Sequence, residues 1–175
     1  MAVHILEKFS KIKLLAFDLD GVLTNGKLLI HDENMWLREM NIKDGLAIQM
    51  ALKNGIQIAV ITGSFSSQVE KRLNYLGVSD FIQKSSSKSI ALESLQNKHK
   101  ISAEQTLFMG DDLPDLDAFA VAGLKTCPSD AVEEVKQQSD YISIFKGGEG
   151  CVRDVIEKTL KTQGKWNHSS FIQSI

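Results

Sequence analysis

The sequence predicts a doubly wound, Rossmann-like α/β fold on a parallel sheet, and three observations carry that reading. Short apolar runs at Lys13 to Asp18, Gln57 to Thr62 and Thr106 to Met109 alternate with helix-like segments. Strands buried on both faces read as continuous apolar runs, and these do. Each run ends in residues with chemistry to offer: Asp18, Thr62, and Gly110-Asp111-Asp112. In open α/β sheets, sites lie beyond the carboxyl ends of the strands.

The elements follow in order. Lys13 to Asp18 is the first strand. From Val22 to Ile42 no helical pattern appears; Lys27 to His31 and Met35 to Met40 flank Asp32-Glu33-Asn34, which reads as a hairpin turn. Asp44 to Asn54 is a helix ended by Gly55, with Asp44 as its cap, and Gln57 to Thr62 is the second strong strand. Ser66 to Leu76 is a helix ended by Gly77, Asp80 to Gln83 a weaker strand, and Lys88 to Lys98 a helix with Ile90, Ala91, Leu92 and Leu95 as its apolar positions. After the strand Thr106 to Met109 come a helix (Leu113 to Ala120), a strand (Leu124 to Cys127), a helix (Ala131 to Gln137), a strand (Tyr141 to Ile144) and a last helix (Gly150 to Thr162). Strands alternating with helices imply right-handed crossovers.

With 175 residues, 43% of them hydrophobic, the chain suits one compact domain over 1–175, with a hairpin insert at 22–42 and a tail at 165–175. A net charge of −2 and scattered basic residues exclude a polyanion-binding surface, so nucleic acid is not an expected partner. No apolar run is long enough to span a bilayer and no signal peptide is evident, so a soluble cytoplasmic protein without membrane contact is expected. Cys127 and Cys151 read as small buried hydrophobes, with a disulfide between them left open. None of the four histidines clusters with another in sequence, and none is assigned to a metal.

Asp18 and Asp20 carry the sharpest chemistry. Charge at the tip of a buried strand is costly unless used. Of two carboxylates one residue apart, one can attack as a nucleophile and the other can carry protons. Taken alone, Asp-Leu-Asp-Gly also reads as an ordinary turn after a strand. Thr62, followed by Gly63 and Ser64, can hold phosphoryl oxygens where a loop enters a helix. Lys88 opens a helix after a serine-rich loop, and Asp111, Asp112 and Asp115 are more acids than a helix start requires. Together the features describe phosphoryl transfer. Magnesium takes hard oxygen ligands, Lys88 offsets charge beside the nucleophile, and Asp20 protonates the departing alkoxide.

These residues resemble the motifs of the haloacid dehalogenase superfamily of phosphatases: Asp18-Leu-Asp-Gly-Val, Ile61-Thr-Gly, Lys88 and Gly110-Asp-Asp-Leu-Pro-Asp. The resemblance implies Asp18 as nucleophile, Asp20 as acid/base, and Mg²⁺ bound by Asp18, the Asp20 carbonyl and Asp111, with Asp112 and Asp115 supporting. Ile42-Lys-Asp-Gly-Leu-Ala-Ile, Gly147-Gly-Glu-Gly-Cys-Val-Arg-Asp and Thr162-Gln-Gly-Lys-Trp narrow it to the capless branch that contains the 3-deoxy-D-manno-octulosonate 8-phosphate phosphatases. That branch implies a hairpin in place of a cap domain and a homotetramer in which hairpin and tail cover active sites. It also implies a keto-sugar acid phosphate substrate from lipopolysaccharide biosynthesis. Gly63, Ser64 and Asp44 are its candidate substrate contacts. Many relatives carry arginine where this chain has Ser64, which leaves Arg38, Lys27, Arg72 or Lys84 to meet the substrate carboxylate.

Three other readings stand beside this one. A nonulosonate 9-phosphate phosphatase has the same chemistry and a different pocket. A signalling receiver domain places its phosphoacceptor on a middle strand, where this chain has Thr62. A silent assembly module would not need every catalytic position filled.

Overall fold

The computed structural model describes residues 5–32 and 35–166. Its main sheet holds β1 (Leu14–Phe17), β4 (Gln57–Ile61), β5 (Asp80–Ile82), β6 (Thr106–Met109), β7 (Leu124–Cys127) and β8 (Tyr141–Ile142). They lie in the order β5-β4-β1-β6-β7-β8, and every pairing is parallel. A second, two-stranded sheet pairs β2 (Leu29–Asp32) antiparallel with β3 (Met35–Leu37).

Alternate strand residues build two cores. Leu15, Phe17, Ile58, Val60, Leu107 and Met109 face one layer; Leu14, Ala16, Ala59, Ile61 and Phe108 face the other. The first layer is α1 (Ile5–Lys11), α2 (Ile42–Lys53), α3 (Ser67–Leu76) and α7 (Cys151–Thr162). The second is α4 (Lys88–His99), α5 (Leu116–Phe119) and α6 (Glu133–Gln138). Cys151 belongs to the first core and Cys127 to the second, so the sheet separates them; both are free thiols.

Most elements match their expected bounds within two residues, and the misses have physical causes. Helix α1 was not expected. Its seven residues are too few for a helical period or for stability alone, and it is held by burying Phe9 edge-on against Tyr141, ring centroids 5.5 Å apart. The helix expected from Leu113 begins instead as a 3₁₀ turn, Leu113–Asp115, with Pro114 inside it. Asn41, not Asp44, caps α2, accepting a hydrogen bond from the Lys43 N–H. Strand β8 stops at Ile142, two residues short.

The hairpin is present at the predicted place, with Leu29 opposite Leu37 and Ile30 opposite Trp36. It leaves Leu29, Ile30, Trp36 and Leu37 exposed, at 65%, 67%, 55% and 42%. Residues 33–34 of its turn, the tail beyond Trp166, His4 and His168 lie outside the described residues. Among the described residues no helix is long and apolar enough to cross a membrane.

The loop before α7 braces the turn after β1. The Gly148 N–H donates to the Val22 carbonyl at 2.9 Å, and a Cβ placed on Gly147 would fall 1.9 Å from the Gly21 carbonyl oxygen. Gly147→Ala therefore has to displace backbone on one side or the other. We expect a loss of about 3 kcal/mol, at the upper end for overpacking, and a thermal midpoint lower by about 5–10 °C. Gly55→Ala is the control: its φ of +77° carries strain but its Cβ direction is open, so a smaller loss of about 1 kcal/mol is expected.

Candidate active site

Strand register assembles the site. Phe17 lies level with Val60 on one side and Met109 on the other, so the residues that follow emerge together at the carboxyl edge. Asp18 is stitched there by its N–H, which donates to the Met109 carbonyl at 2.9 Å. Gly21 then turns the chain with φ +93°, and a Cβ on it would fall 2.0 Å from Asp111 Oδ2. Glycine is needed twice over at that position, once for conformation and once for room.

Lys88 joins the acids. Its Nζ, on a side chain 9% exposed, is 2.8 Å from Asp18 Oδ1 and 2.5 Å from Asp115 Oδ1. The lysine reaches the cluster from the first turn of α4, which Ser87 caps by accepting from the Ile90 N–H. Burial alone would weaken the charged form of Lys88; the charges and hydrogen bonds of Asp18 and Asp115 outweigh it and raise its pKa. One lysine does not neutralise the whole cluster. Burial, then the Asp115 charge, pushes the Asp18 carboxyl up to about 6 against the pull of Lys88. Burial, Asp115, Asp18 and Asp112 push Asp111 up to about 8.

That excess of negative charge is the signature of a cation site. Asp18, Asp111 and Asp115 each offer a carboxylate oxygen within 4.8 Å of the others, and Asp111 Oδ1 is buried without a hydrogen-bond partner. A buried carboxylate oxygen left unpaired is costly unless a cation completes it. Of the three, Asp115 is already committed. Besides Lys88 it accepts from the N–H groups of Asp111 (2.8 Å) and Asp112 (3.2 Å), and so shapes the loop that presents Asp111. Asp112 is exposed and accepts from its neighbour, the Leu113 N–H.

Asp20 faces the hairpin. Arg38 grips it with two hydrogen bonds, Nε to Oδ1 at 2.7 Å and Nη2 to Oδ2 at 3.0 Å, and the Thr24 hydroxyl lies 3.3 Å from Oδ1. Thr62 is 2% exposed. Its hydroxyl is 2.9 Å from the Ser64 hydroxyl and accepts the Ser64 N–H at 3.1 Å, while Gly63 beside it is open to solvent.

A family model described as haloacid dehalogenase-like hydrolase matches residues 74–153. The 3-deoxy-D-manno-octulosonate 8-phosphate phosphatase of Salmonella typhi is 35% identical over 165 residues, covering 94% of this chain and 88% of that protein. The Haemophilus influenzae phosphatase of the same name is 35% identical over 91% of this chain and 88% of its own. This chain belongs to the 3-deoxy-D-manno-octulosonate 8-phosphate phosphatase family. Solved members share its architecture. The Yersinia pestis enzyme superposes with a TM-score of 0.90 at 32% identity, covering 92% of this chain and 87% of that one. The Moraxella catarrhalis enzyme, solved in complex with a magnesium ion, a phosphate ion and a KDO molecule, gives 0.89 at 38% identity, covering 93% of each chain.

Within this phosphatase family fold, the structure brings Asp18, Lys88, Asp111 and Asp115 into one cluster, with Asp20 and Thr62 at the same sheet edge. It does not bring Asp44 there. Asp44 is 1% exposed and accepts the Arg153 N–H at 2.7 Å, so it serves the first turn of α7, and a substrate contact is withdrawn for it. Sequence reasoning also missed the Arg38–Asp20 pair. The sequence offers Arg38 only as a reader of substrate, because its spacing from Asp20 along the chain gives no sign that the two side chains meet.

Proposed function

We propose that this chain hydrolyses the phosphate monoester of a keto-sugar acid, 3-deoxy-D-manno-octulosonate 8-phosphate, releasing the sugar acid and phosphate. The carrying observation is the cluster of Asp18, Asp111 and Asp115 around Lys88 at the sheet edge, in a chain that aligns with those phosphatases over 94% of its length. Asp18 attacks phosphorus and forms an aspartyl-phosphate. Asp20 gives a proton to the departing sugar oxygen, then takes one from the water that cleaves the acyl-phosphate. Lys88 offsets charge between nucleophile and phosphoryl group, and Asp115 holds Lys88 in place. The Thr62 hydroxyl and the N–H groups at Gly63 and Ser64 hold phosphoryl oxygens. The Asp18 and Asp111 carboxylates and the Asp20 carbonyl would hold Mg²⁺, which would supply positive charge where an anionic nucleophile meets a dianionic ester.

The finer readings are ours as well. The enzyme works in the cytoplasm, its product feeds lipopolysaccharide assembly, and it forms a homotetramer that covers the exposed hairpin residues Leu29, Ile30 and Trp36. Sedimentation equilibrium at four times the chain mass is the expected result for the assembly. For the activity, phosphate release is to be compared with Mg²⁺ on the eight-carbon and nine-carbon esters. A higher kcat/KM on the nine-carbon ester would overturn the substrate choice.

The cluster also makes stability depend jointly on pH and metal. An unfolded aspartate titrates near 3.8, whereas Asp18 and Asp111 hold their protons to about 6 and about 8. Their contribution to the metal-free fold is full below the lower value and is lost as pH rises through the higher ones. A metal needs both groups deprotonated. The thermal midpoint of the metal-free protein is therefore expected to fall between pH 5 and pH 8, and added Mg²⁺ to raise it more at pH 8 than at pH 5.5. Equal increments at the two pH values would contradict this electrostatic account.

A further inference from the structure

Just past β3, Arg38 sends its side chain to Asp20, beside the catalytic cluster. Arg38 is buried to 6% exposure, and its guanidinium closes a two-pronged grip on Asp20. With the Arg38 fork on both oxygens, a leaving oxygen reaches Asp20 only through the remaining lone pairs or by displacing the guanidinium. Opening the grip gives it the carboxylate edge that Arg38 covers. A desolvated guanidinium gives up a bidentate carboxylate at little cost only in exchange for another planar anion.

The structure offers a place for that anion. Arg38 also lines a cavity of about 230 Å³ beneath the hairpin, together with Arg72, Ser66, Gln68, Trp36 and Met40. Arg38 and Arg72 line it with Gln68, with Ser66, whose hydroxyl caps α3, and with apolar walls, a mixture suited to a polyhydroxy acid rather than to a bare phosphate. Ser64, nearer the phosphoryl position, brings no cation, and its hydroxyl is engaged with Thr62.

We propose that Arg38 reads the substrate's carboxylate: without substrate its guanidinium rests on Asp20, and the arriving sugar-acid carboxylate draws it away and frees Asp20 for catalysis. The assignment rests on the keto-sugar acid phosphatase reading. It makes substrate recognition and acid/base competence one event, so an ester without a carboxylate finds Asp20 still held.

Steady-state kinetics on two esters test this: 3-deoxy-D-manno-octulosonate 8-phosphate and para-nitrophenyl phosphate, which has no carboxylate. Arg38→Gln is expected to lower kcat/KM on the sugar ester by about 100-fold, mostly through KM, and to raise it on the nitrophenyl ester, where no guanidinium then holds Asp20. Arg38→Lys, which keeps the charge but not the fork, gives the same ordering with a smaller gap, and tests the assignment if the glutamine variant folds poorly. In calorimetric titrations, Arg38→Gln weakens binding of the free sugar acid and spares that of inorganic phosphate. Equal loss on both esters would reduce Arg38 to a positioning residue for Asp20 and overturn the proposal, as would equal weakening of both titrated anions. A wild-type enzyme that cleaves the nitrophenyl ester but not the sugar ester would instead overturn the function reading.

Discussion

Asp18→Asn is expected to cut phosphate release by about 10⁴-fold or more while leaving the thermal midpoint within a few degrees. The amide matches the carboxylate in volume but has no nucleophilic oxygen, so no aspartyl-phosphate can form. Stability is spared because Asp18 is one of the crowded acids of its cluster. It is buried, its carboxyl is already pushed up to about 6, and its Lys88 partner keeps Asp115 at 2.5 Å. Removing one of three crowded acids relieves repulsion as it removes an ion pair. The checks are a malachite-green phosphate assay and a melting curve on the same preparation. Turnover within tenfold of wild type would remove the nucleophile assignment, and a folded but inactive variant supports it.

Lys88→Met is expected to fail in both respects. Lys88 is the cation that Asp18 and Asp115 share, at 2.8 and 2.5 Å, with all three side chains at most 10% exposed. Breaking a buried ion pair from one side leaves uncompensated charge and costs about 3–5 kcal/mol, or a midpoint lower by about 10 °C in a chain of this size. Activity falls as well, because nothing then offsets the nucleophile's charge as it meets the phosphoryl group. A second change separates the two effects. Adding Asp115→Asn to Lys88→Met removes one stranded charge and should recover part of the stability but none of the turnover. Recovery of activity in the double variant would mean that Lys88 matters only for folding.

Most of the site was legible before any coordinates because its residues sit where the strands stop. A parallel strand buried on both faces is a short apolar run, and polar residues at its end stand out: Asp18 after Phe17, Thr62 after Ile61, Asp111 after Gly110. What could not be read were partnerships between side chains far apart in the chain. Asp44 precedes an apolar stretch as a cap would, yet its carboxylate serves Arg153, 109 residues away. Asp115 reads from the sequence as a supporting acid, but its ties to Lys88 and to two backbone N–H groups depend on how the loop closes. The short helix α1 was invisible for a related reason, since packing on α7 and Tyr141 holds it, not its own propensity.

By itself the sequence determined the strand–helix alternation, the hairpin in place of a larger insert, and the identity of the acids, threonine and lysine that meet at the sheet edge. Local patterning carries such information because burial period and strand ends are properties of neighbouring residues. Tertiary structure alone decided which charges compensate one another: Lys88 between two aspartates, Arg38 on Asp20, and Asp111 with a buried oxygen left for a cation. Electrostatic energy depends on distance through space and on burial, and neither is written in the spacing of residues along a chain.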